Sequence, residues 1–353
     1  MTEELFSRSP FGLTASEEIS ACWAGRHEVL EQLQRMLSAY ERRSDSSLDV
    51  MWANLGAGKS HVLFHLAYQL LSSQQNPSKS LPVVVEVPEQ IKSFHDFYRQ
   101  IVQRIPVSEL AVALTQLPTT STFRELKQAG QVLLHGGELE KGVAWDWLTG
   151  GRPHIAELKR CTNIGHRIED DIAATDALCG ILASLRTRRI RLVVLVDEFQ
   201  RVGVLKKAAR ESMLSCLRSV FSRTPELFSM VLGAALRMER NALELLSPEL
   251  RTLLGRRPTI ALPEMSEGEA LEFVAGRFQF FRPSGYVGSQ FAPFSEEAAL
   301  TVMEILKEKG RPLIPREILQ SLTYCFDEAS HSTTEIGATE CRKILEKLVW
   351  DES

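Results

Sequence analysis

The stretch LDVMWANLGAGKSHVLFHLAYQLL, residues 48–71, limits what this chain can fold into more than any other. It opens with an apolar run of strand type and passes through a loop carrying two glycines. It continues with Leu63, Leu66, Ala67 and Leu70 at helical spacing. The window Ala53-Asn54-Leu55-Gly56-Ala57-Gly58-Lys59-Ser60 matches G-x-x-x-x-G-K-S/T except at its first position, where alanine replaces glycine. The two remaining glycines let backbone N–H groups turn inward around phosphate oxygens. The helix that follows presents free N–H groups and the positive end of its dipole to an anion. Lys59 would reach the β- and γ-phosphates, and the Ser60 hydroxyl would hold Mg²⁺. G-K-S occurs by chance in many turns; the strand before it and the helix after it, in the correct register, set this one apart. Ala53 falls where the strand ends, so its methyl group is a modest perturbation.

A second motif lies roughly 140 residues downstream in RLVVLVDE, residues 191–198. Its continuous apolar run fits a strand buried on both faces of a parallel sheet. Such a strand delivers Asp197 and Glu198 at its C-terminal end. Asp197 is the expected metal ligand, directly or through water. Glu198 is the expected base that orients a water for attack on the γ-phosphate. Alone, an acidic pair after a core strand is a common helix start; together with the upstream loop it points to a magnesium-bound nucleoside triphosphate.

Strands alternate with helices over most of the 353 residues, enough chain for about two domains. Strands are expected at 48–54, 81–88, 191–196, 227–236 and 258–265, and helices at about 26–41, 91–104, 168–187 and 207–223. Residues 105–168 break into short helical pieces, an insert; from 266 the pattern is wholly helical, at 267–281, 295–309, 314–328 and 336–349. The expected fold class is α/β, a P-loop parallel sheet flanked by helices with a C-terminal all-helical lid. The expected division is an arm at 1–20, a nucleotide-binding domain at 21–265 with the insert at about 105–168, and a lid at 266–353.

The net charge of −4 gives no global reason to expect nucleic acid, although a local basic face can act alone. RTRRIR (186–191) and RVGVLKKAAR (201–210) flank the Asp-Glu strand and read either as solvated loops or as a stripe facing DNA or another subunit. The six cysteines form no C-x-x-C pair, which argues against a zinc knuckle or a disulfide framework. His61 and His65 sit four residues apart, but no H-E-x-x-H motif exists and a zinc role is not expected. The first residues, MTEELFSRSPFG, do not read as a signal peptide, and no run approaches the ~18 apolar residues of a membrane span. A cytoplasmic protein with no membrane partner is expected.

Taken together, the strand–P-loop–helix, the strand ending in Asp-Glu, two further strands and a helical lid resemble AAA+ ATPases. The closer likeness is to their initiator-type (origin-recognition) and STAND-like clade. CWAGRHEVLEQL (22–33) is similar to the F-x-G-R-x-x-E box of that clade, which lies near the adenine; here it supplies Trp23, Gly25 and Arg26, with tryptophan for phenylalanine. ALPEMSEGEALEFVAGRF is similar to the clade's strand-to-lid junction. KGRPLIPREILQSL is similar to the lid segment whose G-x-P-R arginine senses the γ-phosphate, which falls on Arg316. AWDWLTGG (144–151) resembles a tryptophan-rich insert of bacterial phage-exclusion ATP-binding proteins, although Trp145 and Trp147 also suit core or interface anchors.

The resemblance implies ATP and Mg²⁺ as cofactors, with Gly56, Ala57, Gly58, Lys59, Ser60, His61, Trp23 and Arg26 binding nucleotide. It implies Ser60 and Asp197 as metal ligands, and Glu198, Lys59 and Arg316 as the catalytic set. It also implies self-association or a partner protein, with a DNA-processing or antiviral defence output and DNA itself left open. A winged helix after the lid is not expected, since about 25 residues follow Ser330. Two departures bear on activity. The family ends its fourth strand in a polar side chain that positions water, whereas LGAAL has none before Arg237. An arginine finger is not fixed by the sequence; Arg251, Arg256 and Arg257 are candidates, and a solvated basic loop is an equal reading. Two functions therefore stand: a hydrolysing, nucleotide-driven motor or switch, and a slow or non-hydrolysing nucleotide-dependent scaffold. A small-molecule kinase is a third, disfavoured by the helical lid and adjacent acids.

Overall fold

The structure, a computed structural model, describes residues 5–73, 79–118, 123–236, 238–254, 258–329 and 335–348. Its elements in chain order are α1 (His27–Arg42), β1 (Ser47–Ala53), α2 (Lys59–Ser72), β2 (Ser80–Glu86) and α3 (Phe94–Arg104). The insert folds as α4 (Val107–Thr115), α5 (Arg124–His135), α6 (Glu138–Leu148) and α7 (Ile155–Thr162). Then come α8 (Asp171–Thr187), β3 (Arg191–Asp197), a 3₁₀ turn (Phe199–Val204), α9 (Lys207–Arg223) and β4 (Phe228–Ala235). The chain closes with α10 (Glu239–Glu244), α11 (Pro248–Leu254), β5 (Ile260–Leu262), α12 (Glu267–Phe281), α13 (Glu296–Glu308), α14 (Pro315–Ala329) and α15 (Ala338–Leu345).

The strands form one sheet in the order β2-β3-β4-β1-β5, with β2/β3 and β3/β4 paired in parallel. The expected α/β class, a parallel sheet flanked by helices, is the observed one. The last strand is shorter than the sequence pattern suggests, three residues of the eight read as extended, because Pro263 has no N–H to continue a ladder. In the sheet β4 lies between β3 and β1, so the acidic pair and the P-loop leave non-adjacent strands.

The chain divides into two compact units. One holds residues 34–52 and 69–260, with β2, β3, β4, most of β1 and the insert. Its core is the apolar run of β3: Leu192, Val193, Val194, Leu195 and Val196 are all 0% exposed, as a strand covered on both faces demands. Arg191, at the start of that strand, is buried too; its guanidinium donates to Ser229 Oγ (2.9 Å) and to the Asp45 carbonyl (3.1 Å) and lies over the Tyr40 ring. Arg188 bonds Glu109 at 2.9 Å, and Arg201 bonds Glu86 and the Val87 carbonyl at 2.6 Å each. These three arginines of the two basic segments thus do structural work within the unit. Trp147 is 2% exposed and donates to the His166 carbonyl, a core anchor of the insert.

The other unit comprises the residues up to Leu33, Ala53–Tyr68, and those from Ala261 on. The helices α12 to α15 bury one apolar face each, and Phe6, Phe11, Phe278 and Phe294 interlock edge-on or stacked in their midst. The N-terminal arm is fastened there by two buried arginines. Arg277 donates to the Pro10 (2.8 Å) and Gly12 (2.7 Å) carbonyls, and Arg282 to the Leu5 carbonyl (3.0 Å). Ser266 and Glu269 form a capping box at the start of α12, and Ser295 caps α13, contacts of about 1 kcal/mol each.

Candidate functional site

In the unit that holds the P-loop, Ala53 is the last residue of β1 and 1% exposed, so the chain accommodates its methyl group where the motif has glycine. The loop then tightens, with Ala57 N donating to the Asn54 carbonyl at 3.1 Å. Gly56 and Gly58 adopt φ of +83° and +92°, a region that glycine enters without steric cost. Lys59 opens α2, and Ser60 and His61 follow in its first turn. The loop thus joins two left-handed glycines to the N-terminus of α2.

Arg26 supports this loop from behind. Its guanidinium, 6% exposed, donates to the Ala57 carbonyl at 2.5 Å and to the Pro263 carbonyl at 2.8 Å. Burial pulls its pKa down to about 10, partly offset by Glu269, so it stays charged at neutral pH. Its backbone sits at φ +50°, unusual for a side chain of this size. Arg316, at the start of α14, meets the loop: its backbone N–H donates to the Gly56 carbonyl at 3.3 Å. A methyl group built on Gly56 would stand 2.9 Å from Arg316 Cβ, so only hydrogen fits between them.

Trp23, His61 and His65 form a small aromatic stack in the same unit. The Trp23 ring lies 4.7 Å from that of His65 and 6.4 Å from that of His61, and its Nε1 donates to the Gly25 carbonyl. His61 Nε2 donates to the Cys22 carbonyl at 2.6 Å and His65 Nδ1 to the Ser20 carbonyl at 2.7 Å, which fixes a tautomer for each ring. Burial pushes His61 down to a pKa of about 4, against the hydrogen bond to Cys22. It is therefore neutral at physiological pH. Its Nδ1 is buried with no hydrogen-bond partner.

The acidic pair lies in the other unit. Asp197 ends β3, and Glu198 turns the chain at φ +57°, ψ +33°, with its N–H donating to Asp197 Oδ1 at 2.8 Å. The 3₁₀ turn that follows folds Gln200 back over the sheet end. Gln200 Nε2 donates to Glu198 Oε2 at 2.7 Å, and Gln200 Oε1 accepts from Ala235 N at 2.9 Å. Arg201 Nε stands 3.9 Å from Glu198 Oε2. Sequence inspection of β4 alone finds an apolar end; the polar group at that end comes instead from two residues beyond Glu198. Sequence reasoning misses this residue; a glutamine two positions behind the acidic pair is the one signal that could have found it.

Among the three arginine-finger candidates, Arg251 is described; its Nε donates to the Leu243 (2.8 Å) and Leu246 (3.2 Å) carbonyls, capping α10 within its own unit. Arg256 and Arg257, like Arg237, lie outside the described residues. Among the described residues no cluster of three or more His, Cys, Asp or Glu is arranged to hold a metal, and no helix is long and apolar enough to cross a membrane.

The fold, a five-stranded sheet flanked by helices with a helical C-terminal region, is similar to that of solved origin-recognition and Cdc6 structures. The fold is similar to that of the Aeropyrum pernix ORC2 protein in its ADPNP-ADP complexes, with a TM-score of 0.56 and 12% identity over 91% of this chain and 67% of that one. It is similar to the Aeropyrum pernix ORC1 protein in complex with DNA, with a TM-score of 0.54 and 13% identity over 96% and 69%. It is also similar to Cdc6p from Pyrobaculum aerophilum, with a TM-score of 0.50 and 14% identity over 93% and 68%. No protein-family model matches the sequence, and neither does any curated protein.

Proposed function

We propose that this chain binds and hydrolyses ATP with Mg²⁺, and that the nucleotide state drives a change of shape or assembly. The observation that carries the reading is the loop itself: two left-handed glycines and a helix N-terminus at Lys59, with a charged arginine holding the Ala57 carbonyl. Lys59 contacts the β- and γ-phosphates in this reading, and Trp23, Arg26 and His61 border the nucleotide. In this reading the Ser60 hydroxyl and the Asp197 carboxylate would serve Mg²⁺ as hard oxygen donors, and the ion would neutralise phosphate charge. Glu198 orients and deprotonates the attacking water. Arg316, whose N–H touches the Gly56 carbonyl, reports the γ-phosphate to the lid.

The fold supports this reading through structures that carry the ligands in question: one is of ADPNP-ADP complexes, another of a complex with DNA. A DNA-processing or defence partner, and association with further copies of the chain, are the output that we propose on this basis. The deciding experiment is steady-state ATP turnover by the wild type and Glu198→Gln. The reading expects measurable turnover in the wild type and a loss of roughly 100-fold or more in the variant, with ATP still bound. Binding without turnover in either protein would favour a non-hydrolysing nucleotide-dependent scaffold.

A further inference from the structure

Gln200 has no part in the sequence motifs, yet it is hydrogen-bonded to the most reactive side chain of the site. We infer that Gln200 is a positioning residue for the water-activating Glu198 and supplies the polar group that the end of β4 lacks. The inference rests on the proposed ATPase reading and goes beyond it by assigning the determinant of hydrolysis rate.

A glutamate carboxylate on a turn has three rotatable bonds, and a base that wanders by about 1 Å loses most of its advantage. Glu198 stands at φ +57° between the strand and the 3₁₀ turn, its N–H donating to Asp197 Oδ1, which fixes its backbone but leaves the side-chain torsions to be set elsewhere. Gln200 restrains it from the side: one end of its amide donates to Glu198 Oε2 and the other accepts from Ala235 N, at 2.7 and 2.9 Å. Both ends of a single planar group are engaged, so the amide cannot flip without breaking both bonds. The carboxylate is thereby tied to the backbone of the last residue of β4. Arg201 pairs with the same carboxylate at longer range. Its guanidinium is committed to Glu86 and the Val87 carbonyl, and its Nε stands 3.9 Å from Glu198 Oε2, beyond hydrogen-bond range. The apolar Leu232-Gly233-Ala234-Ala235 sequence is therefore compatible with hydrolysis, because the polar function has moved to the segment after β3.

The test uses the full chain with Gln200→Met, which keeps side-chain length and removes both hydrogen bonds, and Gln200→Glu, which removes the donor and adds a like charge beside Glu198. Steady-state and single-turnover ATP hydrolysis are read alongside the dissociation constant for Mg·ATP. The expected result is a fall in kcat of roughly 10- to 100-fold in both variants, with affinity changed by less than about threefold. In the Glu198→Gln background the Gln200 changes cause no further loss, since the residue that they position is gone. Unchanged kcat in Gln200→Met would overturn this inference alone. A loss of affinity equal to the loss of kcat would also overturn it, as a general structural role. Absence of turnover in the wild type would overturn the ATPase reading and this inference with it. If Gln200→Met does not fold, Gln200→Asn, which keeps the amide but not its reach, is read in the same way.

Discussion

Replacing Arg26 with alanine separates a loop support from a fold support. The guanidinium makes two charge-assisted hydrogen bonds, to the Ala57 and Pro263 carbonyls. Each contributes about 1.5–3 kcal/mol, so their loss costs roughly 3–6 kcal/mol. Against this stands the cost of keeping a cation buried. The fall of its pKa from 12.5 to about 10 corresponds to roughly 3 kcal/mol held against the charged form. Alanine removes that burden as well, and it retains the left-handed backbone at φ +50°, so no strain is released. The net loss of stability is therefore about 0–3 kcal/mol. Nucleotide affinity behaves differently. The Ala57 carbonyl lies inside the phosphate loop, and freeing it forfeits one anchoring bond of about 1.5–3 kcal/mol, or roughly 10- to 150-fold in Kd. The assay is urea unfolding beside fluorescence titration of a labelled ATP. Arg26→Lys is expected in between, since an ammonium does not span both carbonyls. A stability loss above about 4 kcal/mol with Kd changed less than threefold would refute the reasoning and make Arg26 a strut of the fold.

Three further outcomes follow from the same geometry. Gly56→Ala combines a φ of +83° with a contact of 2.9 Å to Arg316 Cβ, so we expect a stability loss of about 1–3 kcal/mol and nucleotide affinity reduced more than tenfold, read by thermal unfolding and calorimetry. His61 is held neutral by burial with a pKa of about 4, below the 6.5 of an exposed ring, so the unfolded chain binds the extra proton. Its share of stability is present above pH 6.5 and falls by about 3 kcal/mol as the pH drops through the window from 6.5 to 4. His61→Asn flattens that part of the curve, which urea midpoints at pH 7, 5.5 and 4.5 check. Arg191→Leu removes the donor to the Arg43 and Asp45 carbonyls and one of the two partners of Ser229 Oγ, which keeps the Ser47 hydroxyl, with an expected loss of about 1–3 kcal/mol in urea unfolding and no direct effect on nucleotide affinity.

What the sequence disclosed was local. The P-loop register is written in eight consecutive residues, and the strands before and after it show in their apolar runs, so β1, α2 and β3 fall within a residue or two of expectation. The helix starts at Lys207 and Glu267 likewise follow from their flanking residues. The long-range pairings were not legible. No spacing rule shows that Arg26 reaches the Ala57 carbonyl, that Arg191 of an apparently basic loop is 1% exposed, or that Arg277 ties down the arm at Pro10. Gln200 illustrates the reason best. Its partner on β4 is 35 positions away, and only the left-handed turn at Glu198 followed by a 3₁₀ segment brings the two together. A fourth strand that looks inert in one dimension acquires its polar group from elsewhere in three.

Our central proposal is that Lys59 and Ser60 bind the phosphates of ATP and that Asp197 supplies a carboxylate for Mg²⁺. Calorimetric titration of ATP into the wild type, Lys59→Ala and Asp197→Asn, each with and without Mg²⁺, tests it directly. The account predicts one site in the wild type, binding abolished in Lys59→Ala, and an affinity in Asp197→Asn that no longer responds to Mg²⁺. No uptake of ATP by the wild type, or an undiminished Mg²⁺ response in Asp197→Asn, would contradict it.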